Sequence, residues 1–267
     1  MMKRFIFSIF LLPLLLASPQ TKAQGIMLTP KWTAQAQFTG YYVADKLGFY
    51  KEEGIDVCVQ HPAISESSFS FMEKGRAPVV IMNLSYAFME RLAGARVVNV
   101  MQTSQENSLM LISHSPLKGE DSLRNQKIAV WNHLSQKLLD RLAEHYALKQ
   151  VEWIRFNSGV NVFLSGAADP CLVGSYNEYL QLSEYGMNVD SIYSIRLADY
   201  GYNLPEDGLY VTEEFYNQYP EVVRKLVKAS MRGWAWTNEH REEALDMVME
   251  EVKKGNIGTN RYPQRKM

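Results

Sequence analysis

Val79-Val80-Ile81-Met82 is an unbroken apolar run, closed by Pro78 before it and Asn83 after it. So short a run, bounded by residues that end regular structure, is expected to be a fully apolar strand. A second such strand is expected at Ile128-Ala129-Val130. Ile55, Val57 and Val59 alternate with Asp56, Cys58 and Gln60, the period of a strand with one buried face. Between these runs the pattern turns helical. Residues 38–47 end at Gly48, where a left-handed cap costs glycine little, and residues 65–74 end at Gly75. Asn83 or Ser85 can cap a helix that runs to Leu92. Strands are further expected at 97–101, 109–112, 151–156, 171–173, 192–195 and 209–211, with a helix at 135–146. Such alternation belongs to an α/β protein with mainly parallel sheets.

The units fall into two sets, which predicts two α/β lobes with a ligand cleft between them. The first lobe is expected over 24–113 and the second over 114–207. Residues 208–267 return as helices to the first lobe, carrying the stripes Val223, Leu226, Val227, Trp234 and Leu245, Val248, Met249, Val252. The polar, turn-rich stretches Ser113-His114-Ser115 and Pro205-Glu206-Asp207-Gly208 are the expected hinges, with Ser113, Asp207 and Gly208 as the residues named for them.

The first residues read as an address rather than as part of the fold. Lys3 and Arg4 precede an apolar run at 5–17, and Thr21-Lys22-Ala23 offers small residues for a signal peptidase, with cleavage expected after Ala23. The run falls short of the roughly 20 residues a membrane span needs. Loss of 1–23 removes Lys3, Arg4 and Lys22 and no acid, which moves the net charge from −1 to about −4. No basic field for nucleic acid results. Cys58 and Cys171 fall in different expected lobes, and a bridge between lobes that must move is not expected. His61, His114, His133, His145 and His240 are scattered, with no metal-ligand spacing, phosphate loop or nucleophile–base pair beside them.

The stretch from Trp32 to Ala44, Trp32-Thr33-Ala34-Gln35-Ala36-Gln37-Phe38-Thr39-Gly40-Tyr41-Tyr42-Val43-Ala44, followed by Gly48-Phe49-Tyr50-Lys51-Glu52-Glu53-Gly54, is distinctive. It resembles the opening of ABC-transporter solute-binding proteins of the sulfonate, nitrate and thiamine-pyrimidine-precursor class, most of all the formylaminopyrimidine-binding branch. The resemblance continues through Gly159-Val160-Asn161, Tyr176-Asn177-Glu178-Tyr179 and 202–211. It implies a type II periplasmic-binding-protein fold, a monomer in the periplasm, a small-molecule ligand that is an aminopyrimidine thiamine precursor, and a membrane permease with its ATPase as partners. An alkylsulfonate, nitrate or other small solute is the alternative cargo.

One branch of the same superfamily is enzymatic, the fungal thiamine-pyrimidine synthases, which hold pyridoxal phosphate on a lysine. Met82 stands where the resemblance places that lysine, and Tyr86 where it places a histidine. A methionine forms no Schiff base, so neither that enzyme activity nor a cofactor is expected.

A flat heteroaromatic ligand needs rings to stack on and hydrogen-bond groups at its edge. Trp32, at the end of the first strand, is the candidate stacking wall, with Tyr41 beside it. Gln37 lies in the strand-to-helix loop, at the sheet edge where α/β proteins bind ligands. Asn83 and Ser85 open a helix whose free N–H groups suit a polar group, and His133 holds the equivalent corner of the second lobe. Glu178 can accept from an exocyclic amine while pairing with a protonated ring nitrogen, and Asn161 and Tyr202 complete the set. Each also has a structural use: the aromatics in a core, Asn83 and Ser85 as caps, Glu178 as a solvated helix carboxylate. Proteins that this chain resembles continue for several helices past a stretch like 254–260. Residues 261–267 carry no apolar stripe, so uncovered apolar surface on the first lobe is expected.

Overall fold

The computed structural model describes residues 25–63, 65–117, 126–131, 136–145, 150–157 and 159–267. The expected leader at 1–23 and the candidate ligand residue His133 lie outside the described residues. The described chain forms two five-stranded sheets. The first contains β1 (Ile26–Thr29), β2 (Val57–Val59), β3 (Val79–Asn83), β4 (Val97–Gln102) and β10 (Asp207–Thr212), in the order β2-β1-β3-β10-β4. The second contains β5 (Leu109–Ser113), β6 (Lys127–Trp131), β7 (Glu152–Phe156), β8 (Cys171–Gly174) and β9 (Tyr193–Arg196), in the order β7-β6-β8-β5-β9.

Both lobes therefore share one winding, in which the fourth position belongs to the strand that has just arrived from the other lobe. That strand enters from the cleft end, so it runs against its neighbours. β10 is antiparallel to β3 and β4, and β5 is antiparallel to β8 and β9, whereas β1 with β2 and β3, and β6 with β7 and β8, are parallel. The sheets are mixed rather than mainly parallel, and the two chain crossings are the reason.

The strand patterns follow from cover on both faces. Ile26, Leu28, Val79, Ile81, Leu209 and Val211 face one core of the first lobe, while Val80, Met82 and Tyr210 face another. This explains why 79–82 is apolar throughout, as parallel strands buried on both faces require. In the second lobe, Met110, Ile112, Cys171 and Val173 face one core, while Leu111, Ile128, Val130 and Leu172 face the other. Cys58 on β2 is exposed and Cys171 on β8 is buried, and both are free thiols.

The crossings move the first expected hinge and narrow the second to its Pro205-Glu206 half. The chain leaves the first sheet after Gln102 and enters the second at Leu109, so the first crossing is 103–108. Ser113 is the last residue of β5 and pairs with Tyr193, well inside the second sheet. The return crossing lies before Asp207, which pairs with Asn83 as β10 begins, and Gly208 pairs with Met82. A Cβ on Gly208 would meet Gln102 Oε1 at 2.7 Å and Asn99 Nδ2 at 2.8 Å, so this glycine serves close packing in the strand, not a bend. The expected boundaries at 113 and 207 shift accordingly, to the two crossings.

Four of the helices set up the cleft: α1 (Thr39–Lys46), α9 (Pro220–Glu239), α10 (Arg241–Lys254) and the short α11 (Arg261–Lys266). Residues 261–267 lack an apolar stripe yet fold as α11, with Pro263 and Gln264 buried. The crossing of α1 and α9 is close because glycines meet there. A Cβ on Gly233 would overlap the Gly40 carbonyl oxygen, and one on Gly40 would overlap the Trp234 indole. Alanine in a helix gains about 1 kcal/mol over glycine, but overpacking against backbone costs about 3 kcal/mol. Gly233→Ala is therefore expected to destabilise by about 2 kcal/mol and lower Tm by roughly 4–8 °C in a thermal melt. A melt within about 1 °C of the parent would contradict so close a crossing.

Candidate functional site: a cleft between the lobes

The parallel strands of both lobes end at the same gap. β1 runs into Lys31, β3 ends at Asn83 and β4 ends at Gln102, while from the other side β6 ends at Trp131 and β8 at Gly174. The carboxyl edge of such sheets is where α/β folds bind ligands, since loops and helix starts gather there. A cavity of about 570 Å³ lies in this gap. Gln37, Thr103, Asp207 and Trp234 line it from the first lobe, and Tyr176 from the second. Met101, Met231 and Met267 supply soft apolar wall.

Asp207 organises the floor. It is 4% exposed, and its Oδ1 lies 2.5 Å from Lys31 Nζ. Lys31 also donates to Asn83 Oδ1 at 2.6 Å. Asp207 Oδ2 accepts from Gln37 Nε2 at 2.5 Å, and Gln35 Nε2 donates in turn to Gln37 Oε1. The backbone carbonyl of Asp207 accepts from the Thr103 N–H at 2.9 Å and from Gln102 Nε2 at 2.8 Å. One residue thus joins the loop after β1 to both chain crossings. A buried carboxylate is costly unless paired and hydrogen-bonded, and Asp207 is both.

The crossings are tied to each other as well. Glu206 is buried, and its carboxylate accepts from Ser108 Oγ at 2.8 Å and from the Ser108 N–H at 3.1 Å. Asn203 Oδ1 accepts from the Asn107 N–H at 2.8 Å. The Glu206 carbonyl accepts from the Leu84 N–H at 2.8 Å, which secures the hinge to the end of β3.

On the second lobe, Glu178 opens α7 (Glu178–Glu184) and is 8% exposed. Its Oε2 accepts from the Gly174 N–H at 3.1 Å and its Oε1 from Asn177 Nδ2 at 3.2 Å. Burial holds this carboxyl above the usual range, while the Gly174 N–H, Trp131 and, across the cleft, Lys31 pull the other way. A carboxylate has about four acceptor positions, and the Gly174 N–H, Asn177, the Glu178 N–H and Trp131 occupy them. Glu178 is thus not a solvated helix carboxylate. Tyr176, two residues earlier, has its hydroxyl held protonated by burial.

Of the residues expected from sequence, Gln37 lines the cavity, and Asn83 and Glu178 stand around Lys31. Asp207, expected as a hinge, is a wall residue. Trp32 packs instead against the core of the first lobe, and its carbonyl oxygen lies 2.5 Å from His61 Nδ1. Burial depresses His61, whose Nε2 is 2.7 Å from Tyr42 Oη. Tyr41 is 1% exposed and stands behind the wall, edge-on to Trp234 with ring centroids 5.8 Å apart. Asn161 is exposed on the first turn of α6 (Asn161–Leu164), Tyr202 packs against the core of the second lobe, and Ser85 sits half-buried in α4 (Leu84–Leu92). None of these three lines the cavity. Met82 is in the core on the side of β3 where Tyr86 meets Phe69, 1% exposed.

Lys31, Tyr176 and Trp234 were not singled out from sequence. Lys31 carried a usable signal, a cation directly after a strand at the sheet edge. Tyr176 is two residues from Glu178 in the same motif. Trp234 was hidden in an amphipathic stripe, where an aromatic reads as core.

A family described as NMT1/THI5 like matches residues 35–244. The riboflavin-binding protein RibY of Chloroflexus aurantiacus is 28% identical over 251 residues, covering 90% of this chain and 70% of its own. The formylaminopyrimidine-binding protein of Halalkalibacterium halodurans is 24% identical over 274 residues, covering 96% and 82%. Among solved structures, the periplasmic aliphatic sulphonate binding protein SsuA from Escherichia coli matches with a TM-score of 0.67 at 14% identity, over 86% of this chain and 79% of that one. With its two five-stranded lobes closing on one cleft, this chain has the periplasmic-binding-protein fold and belongs to the NMT1/THI5-like family.

Proposed function

We propose that this chain is the exported, periplasmic substrate-binding component of an ABC importer, and that its cargo is a flat, nitrogen-rich heteroaromatic solute of the thiamine-pyrimidine-precursor class. The observation that carries the reading is the make-up of the cleft. One aromatic side chain comes from each lobe, Tyr176 and Trp234, beside a carboxylate whose cation is already engaged. Such walls suit a ring with amino groups at its edge, since rings stack on rings and carboxylates accept from amines. Lys31 is paired with Asp207 while Glu178 adds a second carboxyl nearby, so no uncompensated positive charge lines the cleft among the described residues, as a sulfonate or nitrate would favour.

The carrier reading is favoured over the synthase reading. Met82, at the position of the synthase lysine, is buried in the core away from the cleft and has no amine. The protein would act as a monomer, delivering its ligand to a permease and its ATPase. A second cargo, a flavin, is favoured by the 28% identical riboflavin-binding relative and by a cavity of about 570 Å³, more than one pyrimidine ring needs.

The test is a panel of thermal melts with formylaminopyrimidine, its amine, riboflavin, taurine and nitrate. A true ligand at a hundredfold over its Kd adds about 2.7 kcal/mol, a rise of roughly 5–10 °C in Tm. The pyrimidines are expected to give that rise, and Trp234→Ala or Tyr176→Ala to weaken binding about tenfold by calorimetry. A rise with riboflavin alone, with quenching of flavin fluorescence, would move the assignment to the flavin. A rise with taurine or nitrate alone would overturn the heteroaromatic reading.

Glu178 gives a pH prediction. Its carboxyl is raised by burial, so the folded state binds this proton more readily than the unfolded chain does. That contribution to stability is present at low pH and is lost as pH climbs from the ordinary carboxylate value through the raised one. Glu178→Gln keeps an acceptor for the Gly174 N–H and removes the titration. Denaturant melts from about pH 4 to pH 7 should show the parent losing stability relative to Glu178→Gln. Parallel curves would mean that burial does not perturb Glu178.

A further inference from the structure

The two covalent crossings, 103–108 and 201–206, are not the sole links between the lobes. α11 touches both. On the first lobe it is held to α10, where Arg261 pairs with Asp246 and Glu242, and Arg265 donates to Glu242 at 2.6 Å. Those pairs are exposed and each is worth little. The firmer anchor is Gln264, 5% exposed, whose Oε1 accepts from the Ala36 N–H at 2.7 Å and whose Nε2 donates to Thr259 Oγ1 at 3.2 Å. Ala36 lines the cavity and opens the short turn that leads into α1.

On the second lobe, Asn260 Nδ2 donates to Glu184 Oε1 at 2.8 Å, and α11 packs against α7. Asn260 is also the cap of α11, its Oδ1 accepting from the Tyr262 N–H at 2.8 Å. Immediately after α11, Met267 lines the cavity. A segment fixed to one lobe, bonded to the other and present in the cavity wall can relay ligand contact to lobe position.

We propose that α11 is a strap across the cleft. Its Asn260–Glu184 contact restrains opening of the lobes, and Met267 at its end is a ligand-contacting residue that sets how large a solute the cleft accepts. The second half rests on the cleft being the ligand site, as argued above; the first does not.

The two halves are tested separately. Cys58 is exposed on β2, whereas Cys171 is buried and its thiol is pushed up to about 12, so added label goes to Cys58. With Ser194→Cys on the exposed face of β9 as the second site, electron–electron distance measurements report lobe separation without ligand. The Asn260–Glu184 bond is exposed, so its loss corresponds to the low end for a hydrogen bond, about twofold in an equilibrium. Glu184→Ala, which spares the helix cap, and Gln264→Ala should each enlarge the longer-distance population by about that factor. Superimposable distributions in the parent and both variants would overturn the restraint. For size selection, Met267→Ala should improve riboflavin relative to the pyrimidine by several-fold, and Met267→Trp should do the reverse. Equal affinities across the three proteins would overturn that half. If no solute of the panel binds, the heteroaromatic reading and with it the size-selection half fail, while the distance measurements still decide the restraint.

Discussion

Asp207 places a carboxylate where almost no water reaches it, and much of the cleft is arranged around making that tolerable. Lys31 supplies the counter-charge, Gln37 supplies a second donor, and Asn83 steadies Lys31 from the neighbouring strand. These partners come from the loop after β1 and the end of β3, which brings both to the point where β10 begins. The Asp207 carbonyl meanwhile holds Thr103 and Gln102, the last residues before the chain departs for the second lobe. Breaking one partner of such a buried set costs about 3–5 kcal/mol, since the remaining charge is stranded. Sheet edge, hinge and cleft floor are therefore one connected unit.

That unit also explains what a hinge must be in this fold. The chain passes between the lobes at 103–108 and 201–206, and these segments are neither glycine-rich nor loosely held. Glu206 and Ser108, with Asn203 and Asn107, bind the two crossings side by side. Two short crossings joined in this way restrict the lobes to a narrow set of relative motions, and a ligand seated against Asp207 acts close to the axis. α11 contacts both lobes as well, through Gln264 and Asn260.

Strands and helices were legible because burial imposes their periods. The run 79–82 faces two cores and so shows no alternation, and Gly48 and Gly75 take left-handed backbone at +77° and +68° where helices stop. Hinges were legible only in part, since Pro205-Glu206 lies in the return crossing while Ser113, Asp207 and Gly208 lie in strands. Turn-rich composition near Ser113 and Asp207 looked like a bend, but whether a polar residue sits in a crossing or at a strand end depends on pairing with distant segments. The same limit separates the site residues. Gln37 and Glu178 were expected because sheet-edge position and motif point to them; Gln37 lines the cavity and Glu178 stands near Lys31. Trp32 was misplaced because an aromatic after a strand can turn to the core as readily as to the cleft, and here it packs on the core of the first lobe. Trp234 was missed for the mirror reason: its place in an apolar stripe is real, but Gly40 lets the indole lie against α1 while it also lines the cavity.

The fold leaves the cargo open, and local charge narrows it. A solved neighbour of the same architecture is named for binding aliphatic sulphonates, at only 14% identity, so the architecture by itself assigns no ligand to this chain. Strand ends and hinge geometry define where a solute sits; they do not define its sign. Three side chains carry the charge there: Lys31 is paired with Asp207, and Glu178 is held above the usual carboxylate range by burial. An anion entering this cleft would have to displace a carboxylate already 2.5 Å from the ammonium, whereas an aminated ring can use the existing acceptors without breaking the pair. Selectivity of this kind comes from a cation that has been made unavailable as much as from the rings that remain available.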